Sequence, residues 1–205
     1  DLQLPTVQLQ PCPPEDPDCI NQAIVIIDNA GKARNRGIEF EMNAQPTDGL
    51  QLMGSVGYLD AKFTEYDAVN IVTNEPIDRA GERLPFVPDL QTQLGVQYSF
   101  LIEAEDLPPW LEGWLTPRVD WSYTAAVQNW GRELVGGTQL GYNLVNLRLS
   151  YSFNDDRSQL ALWSKNVADQ TYFNEVYAVQ AQILGTVSRF YGWPRTYGVE
   201  LSHNF

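Results

Sequence analysis

Long apolar runs are missing from this sequence: the longest, Ala23 to Ile27, has five residues, against the roughly 20 that a membrane-crossing helix needs. A helical membrane protein is thereby excluded. Histidine occurs once, at His203, so no histidine cluster can form, and no histidine stands near the only two cysteines, Cys12 and Cys19. No metal site and no resident cofactor are expected. Basic residues are scarce as well, 13 Lys and Arg against 26 Asp and Glu for a formal charge of −13, which excludes nucleic acid because phosphate backbones require a basic footprint. Catalytic patterns are also absent. There is no GxSxG, no Ser, His and Asp order and no phosphate-cradling glycine loop, and the GG at 136–137 opens no helix, so the chain does not read as an enzyme.

The cysteines sit in PCPPEDPDCI. Paired as a disulfide they close a small surface loop, which requires an oxidising compartment such as the periplasm or cell exterior; unpaired thiols are the alternative. No initiating Met and no signal peptide precede DLQLPTVQLQ, which already alternates like a strand in mid-course, and the chain reads as a piece of something longer.

What is present is two-residue periodicity. Leu90, Thr92, Leu94, Val96, Tyr98, Phe100 and Ile102 alternate with Gln91, Gln93, Gly95, Gln97 and Ser99. Leu115, Pro117, Val119, Trp121 and Tyr123 alternate with Thr116, Arg118, Asp120, Ser122 and Thr124. Similar alternation runs through 38–45 and 145–153. Each is a strand with one oily and one polar face. The segments 50–63 and 159–167 alternate less cleanly, and a bulge in either accounts for the slip.

Strands are predicted near 1–9, 23–45, 50–66, 90–102, 115–129, 142–153, 159–174 and 194–205. The short links 46–49 and 154–158, with the moderate 103–114, alternate with long ones at 10–22, 67–88, 130–140 and 178–192. That is an antiparallel up-and-down meander with functionally different ends. The fold class is all-β: a transmembrane β-barrel segment of about eight strands, an open curved sheet by itself and part of a larger barrel in its parent.

Periodicity alone does not tell inside from outside, and a soluble lipocalin-like barrel also alternates. Aromatic residues favour the oily face outward. Tyr98, Phe100, Trp110, Trp114, Tyr151, Phe153 and Phe205 gather near the short turns, and Trp121, Tyr123, Trp130, Tyr172 and Phe173 toward the long loops, as two membrane girdles require. Glu39, Glu41, Arg118, Asp120, Arg148 and Glu200 on the polar face suit a wet lumen, where opposite charges pair at little cost.

Five stretches then resemble, in order, the C-terminal part of the barrel of TonB-dependent outer-membrane receptors: NAGKARNRGIEFEMNAQPTDGLQLMGSVGYLDAKFTEY (29–66), LPFVPDLQTQLGVQYSF (84–100), YNLVNLRLSYSF (142–153), LALWSKNVADQTYF (160–173) and PRTYGVELSHNF (194–205). The resemblance implies a bacterial outer-membrane receptor for TonB-energised uptake of a scarce solute, such as an iron-siderophore. Residues 1–205 would be the C-terminal portion of its barrel, without the N-terminal plug through which TonB acts. Barrels of this kind have about 22 strands, so eight make roughly a third. The implied partners are outer-membrane lipid, the TonB complex, the barrel-assembly machinery and a small solute. Two other readings stand beside it, a complete eight-stranded anchor or adhesion barrel and the soluble carrier.

The candidate site residues fall in three groups. Tyr197, Val199, Leu201 and Phe205 resemble the C-terminal assembly signal of outer-membrane proteins, with His203 departing from the usual apolar choice. The loop charges Asp67, Glu75, Asp78, Arg79, Glu82 and Arg83 are possible solute contacts. Asn166 and Asp169 in KNVADQTY match a family strand element expected to form lumen-side hydrogen bonds, and Gly37, Gly49 and Gly57 are expected at turns or close strand approaches.

Overall fold

The computed structural model describes residues 3–10, 13, 22–29, 31–70, 75–103, 108–129, 136–177 and 186–205. Cys12 and Cys19, with the disulfide expected between them, lie outside the described residues, as does Trp130. The strands in chain order begin with β1 (Gln3–Gln10), β2 (Gln22–Asn29), β3 (Lys32–Thr47) and β4 (Leu50–Glu65). Then come β5 (Asp67–Asn70), β6 (Glu75–Asp78), β7 (Leu90–Tyr98), β8 (Phe100–Ile102) and β9 (Gly113–Thr124). The rest are β10 (Val127–Gln128), β11 (Thr138–Gln139), β12 (Tyr142–Phe153), β13 (Ser158–Lys165), β14 (Phe173–Tyr177), β15 (Ser188–Tyr191) and β16 (Thr196–His203).

One antiparallel sheet of eight strands carries the fold, in the order β16-β13-β12-β9-β7-β4-β3, with β8 extending β7 along β9. Every neighbour in it is the next long strand in sequence, so the meander is strictly up and down. Four two-stranded ribbons, β1/β2, β5/β6, β10/β11 and β14/β15, rise from the end opposite the short turns. Among the described residues β1 pairs only with β2 and β16 only with β13, so the sheet is open and no eight-stranded barrel closes.

The eight strands are not quite those the periodicity suggests. Residues 1–9 belong to a ribbon rather than the sheet, and 23–45 is divided between β2 and β3. The eighth strand comes instead from a break in 90–102 at Ser99. The break has a local cause. The turn joining β3 to β4 presents Gly49 at φ 81, its carbonyl accepts the Ser99 N–H at 2.9 Å, and a Cβ on Gly49 would collide with the Ser99 carbonyl oxygen. Only glycine combines that backbone angle with so close an approach.

Register on β3/β4 shifts between Lys32 and Ala33 and between Ala44 and Thr47, at the two ends of the pairing, and no bulge separates the positions that break the alternation. Register runs unbroken from Ala33↔Phe63 to Ala44↔Leu52 and through all of β13. Leu59 and Phe63 break the pattern because they are apolar residues on the inner face, and residues 79–84 run alongside the top of β4 as a backbone-paired neighbour. Phe63 N–H donates to Glu82 O and Leu84 N–H to Ala61 O, leaving Phe63 and Ala61 buried. Trp163 breaks it on β13 because it too is on the inner face, opposite Gly198, where a Cβ would come within 2.6 Å of the indole.

Side chains that share a face follow from the register. The outer face carries Ile38, Phe40, Val56, Tyr58, Leu94, Val96, Val119, Leu147, Leu149, Leu160, Leu162 and Val199, all exposed. Soluble proteins rarely leave an apolar surface of that extent bare, so this face belongs against lipid. Tyr98 with Phe100 and Tyr151 with Phe153 mark its short-turn border as contacting ring pairs; Tyr58, Tyr123 and Tyr197 mark the other. Trp114 pairs with Ser152, on the inner face, and does not join the girdle; Tyr172 stacks on the inward-facing Tyr142 and does not join it either.

Candidate functional site

The inner face is a hydrogen-bonded polar wall. On β9, Arg118 grips Asp120 with two parallel bonds, Nε to Oδ2 at 2.8 Å and Nη2 to Oδ1 at 2.7 Å, and reaches Gln97 on β7 at 3.5 Å. Bidentate guanidinium-carboxylate geometry fixes both side chains more firmly than a point contact. From β12, Arg148 crosses β13 to Glu200 at 3.1 Å and touches Gln159 at 3.4 Å. The crossing is diagonal, since Arg148 is in register with Trp163 and Glu200 with Ala161, whose small side chain leaves the way open. A cavity of about 430 Å³ lies against this face, lined by Glu41, Met53, Gln93, Arg118, Asp120 and Asn146 among others. Gly95 makes room there, since a Cβ would sit 3.0 Å from Asp120 Oδ1 and 3.2 Å from the Met53 methyl. Chemically the wall offers donors and acceptors at fixed register and suits an aqueous path or a polar protein surface better than an apolar ligand.

At the rim, Asn166 is 4% exposed and takes φ 50. Its Nδ2 donates to Gln170 O at 2.9 Å and Trp193 O at 3.1 Å, and its Oδ1 accepts from Gln170 N–H at 2.9 Å. Its own N–H donates to Asn146 Oδ1 on β12 at 3.0 Å. Asp169, at φ 53, accepts from Arg195 N–H at 2.9 Å. The exit from β13 is thus clasped to the entry of β16. Above it Tyr142 stacks on Tyr172 with ring centres 4.7 Å apart, Arg189 lies 5.3 Å over Phe173, and buried Gln139 accepts the Phe173 N–H at 2.7 Å.

This arrangement of oily outer face, polar inner wall and ribbons at one end has a match in sequence. The family model described as TonB dependent receptor-like, beta-barrel, covers residues 6–167. The chain belongs to that family. Its TonB-dependent receptor relatives include a ferric-pyoverdine receptor from a Pseudomonas strain, 26% identical over an alignment of 202 residues that covers 93% of this chain and 20% of the relative. Among solved structures, the ferric yersiniabactin uptake receptor of Yersinia pestis superimposes with a TM-score of 0.68 at 20% identity, over 88% of this chain and 25% of that one. The ferric preacinetobactin receptor of Acinetobacter baumannii does so with a TM-score of 0.57 at 22% identity, over 99% and 26%. The chain therefore spans about a fifth of the curated relative's length. Membership of the TonB-dependent receptor barrel family places the oily face in the outer membrane.

On this receptor segment the six loop charges gather on and below one ribbon. Asp67 and Asp78 face each other across β5/β6, with Glu75 at its tip side, all exposed. Asp78 Oδ1 also accepts the Ala80 N–H at 2.8 Å. Arg79 is buried and pairs with Glu82 at 3.0 Å, and Arg83 pairs with Asp89 at 2.7 Å. Arg79, Glu82, Arg83 and Asp78 are thus tied to neighbouring chain, and Asp67 and Glu75 are left as exposed carboxylates. Tyr197, Val199 and Leu201 stand on the outer face of the edge strand β16, and His203, on the same face, bonds Ser158 Oγ through Nδ1 at 2.9 Å and meets Phe205 edge-on at 4.8 Å. The His203 ring thus has a polar partner on that face. Gln139 and the Tyr142–Tyr172 pair escaped sequence reading, because their partners lie thirty or more residues away along the chain.

Proposed function

We propose that this chain is the C-terminal portion of the barrel of an outer-membrane receptor that imports a ferric siderophore, with energy delivered by the TonB complex through a plug domain. The observation that carries the reading is the likeness to siderophore receptors, spanning nearly the whole chain, together with the polar inner wall that a plug and a hydrated solute path require. The tyrosine, phenylalanine and arginine group at the outer rim supports the same reading, since flat aromatic faces and a cation suit an anionic ferric chelate. Uptake of radiolabelled iron by cells carrying the full receptor tests it. Ferric siderophores of the pyoverdine class should be taken up, and uptake should vanish without TonB. Uptake confined to cobalamin or oligosaccharides would overturn the reading.

Tyr197, Val199, Leu201 and Phe205 serve in this proposal as the signal read by the barrel-assembly machinery. Replacing Phe205 by alanine in the full receptor should lower the amount of heat-resistant, assembled barrel in outer-membrane fractions several-fold. Unchanged assembly would refute the role.

A further inference from the structure

The outer face of β3 and β4 changes character abruptly. Register pairs Phe40 with Val56 and Ile38 with Tyr58, then Arg36 with Asp60 and Arg34 with Lys62, all on one side of the sheet. Lys62 forms a backbone β-bridge with Arg83, whose charge is taken up by Asp89 at 2.7 Å and so stands outside the group of Arg34, Arg36, Asp60 and Lys62. Successive same-face pairs are about 7 Å apart along a strand, so the cations begin one step above the tyrosine girdle, where the hydrocarbon ends and headgroups begin. Asp60 is the one carboxylate paired within this group; Lys62 Nζ lies 2.7 Å and Arg34 Nη2 3.6 Å from it. Arg36 has no carboxylate partner among the described residues and is exposed. Lys32 beyond is neutralised by Glu65 at 2.9 Å.

Three cations to one anion is an excess of positive charge in a chain whose formal charge is −13. The acids of the same strand, Glu39 and Glu41, lie on the opposite, inner face. The sorting excludes the anionic chelate path as the reason for these cations, because they point away from it. We infer that Arg34, Arg36 and Lys62 form a docking patch for the phosphate groups of lipid in the leaflet on the cell-surface side. Guanidinium forks match phosphate oxygens bidentately, and long basic side chains at a membrane border extend their charge into the headgroup layer while their stems stay against oil. The inference rests on the outer-membrane placement of the apolar face.

The test uses the full-length receptor as wild type and as the triple variant R34Q/R36Q/K62Q, each purified in detergent and exchanged against a bisphosphorylated outer-leaflet glycolipid or its dephosphorylated form. Native mass spectrometry counts retained lipid. Wild type should retain the phosphorylated form at least five-fold better than the triple variant and than the dephosphorylated lipid. R157Q, which removes an exposed cation at the short-turn end, should retain as wild type does. Equal retention by wild type and triple variant overturns the patch. Full displacement by millimolar inorganic phosphate also overturns it, by showing a site for the free anion. Insertion into lipid vesicles is scored separately: a wild type that fails to insert defeats the outer-membrane placement, whereas insertion without selective retention defeats only the phosphate patch.

Discussion

Leu147→Arg should destabilise the full receptor by about 2–4 kcal/mol, the range for a cation facing lipid at mid-depth in a transmembrane barrel. Leu147 stands on the outer face of β12, in a row with Val119, Val96 and Leu52 across three neighbouring strands. Along β12 it lies midway between Asn143, which pairs with Tyr123 of the upper girdle, and Tyr151 of the lower one. An arginine there has no water and no acid within reach. The same side chain on the opposite face should be harmless: Ser150→Arg enters the polar wall beside Glu200 and should change stability by less than about 1 kcal/mol. Urea titration of the receptor refolded into vesicles measures both, and the Leu147→Arg cost should grow with lipid chain length. Equal costs for the two variants would mean that the oily face is not against lipid.

That contrast rests on what was most legible in the sequence. A strand between lipid and a wet lumen must alternate, so Leu90 to Phe100 and Leu115 to Tyr123 announced their faces directly, and Arg118, Asp120, Arg148 and Glu200 fell on the polar side as expected. Partners were less legible than faces. Residues 1–9 alternate as well as any barrel strand yet pair only with β2, because period two reports a pleat and not a neighbour. The irregularities at Leu59, Phe63 and Trp163 looked like register slips and are instead inner-face residues, Phe63 buried beside the paired segment 79–84 and Trp163 set against Gly198. Such coverage depends on tertiary placement, which a local pattern does not carry. Within the candidate site, the loop charges share one ribbon and its base, and their division into paired Arg79, Glu82 and Arg83 and exposed Asp67 and Glu75 depended on how the chain folds back along β4.

Asn166→Ala should cost about 2–4 kcal/mol, and the loss should appear at the rim before the sheet. The substitution strips partners from the Gln170 N–H, the Gln170 carbonyl and the Trp193 carbonyl at a position that is 4% exposed, and each buried group left unsatisfied costs about 1–3 kcal/mol when water cannot replace the bond. It also puts alanine at φ 50, a left-handed angle that costs most residues about 1–2 kcal/mol and that asparagine tolerates. Glycine at the same position relieves the backbone angle but restores no hydrogen bond, so Asn166→Gly should recover about 1 kcal/mol of the loss and no more. Asp169→Ala removes the bond to Arg195 N–H and loosens the same junction from its other side. The two changes should therefore be non-additive, with a coupling of about 0.5–3 kcal/mol, as residues of one hydrogen-bonded unit show. Hydrogen exchange on the full receptor separates this clasp from general destabilisation. Amides of 170–173 and 193–196 should exchange faster in Asn166→Ala, while those of β9 and β12 below Asn146 keep wild-type protection. Uniform acceleration across the sheet would show that Asn166 supports the barrel as a whole. Because the clasp joins the exit of β13 to the entry of β16 beneath the aromatic rim of β14/β15, its loss should also weaken binding of the ferric chelate proposed as solute, without changing the amount of assembled receptor.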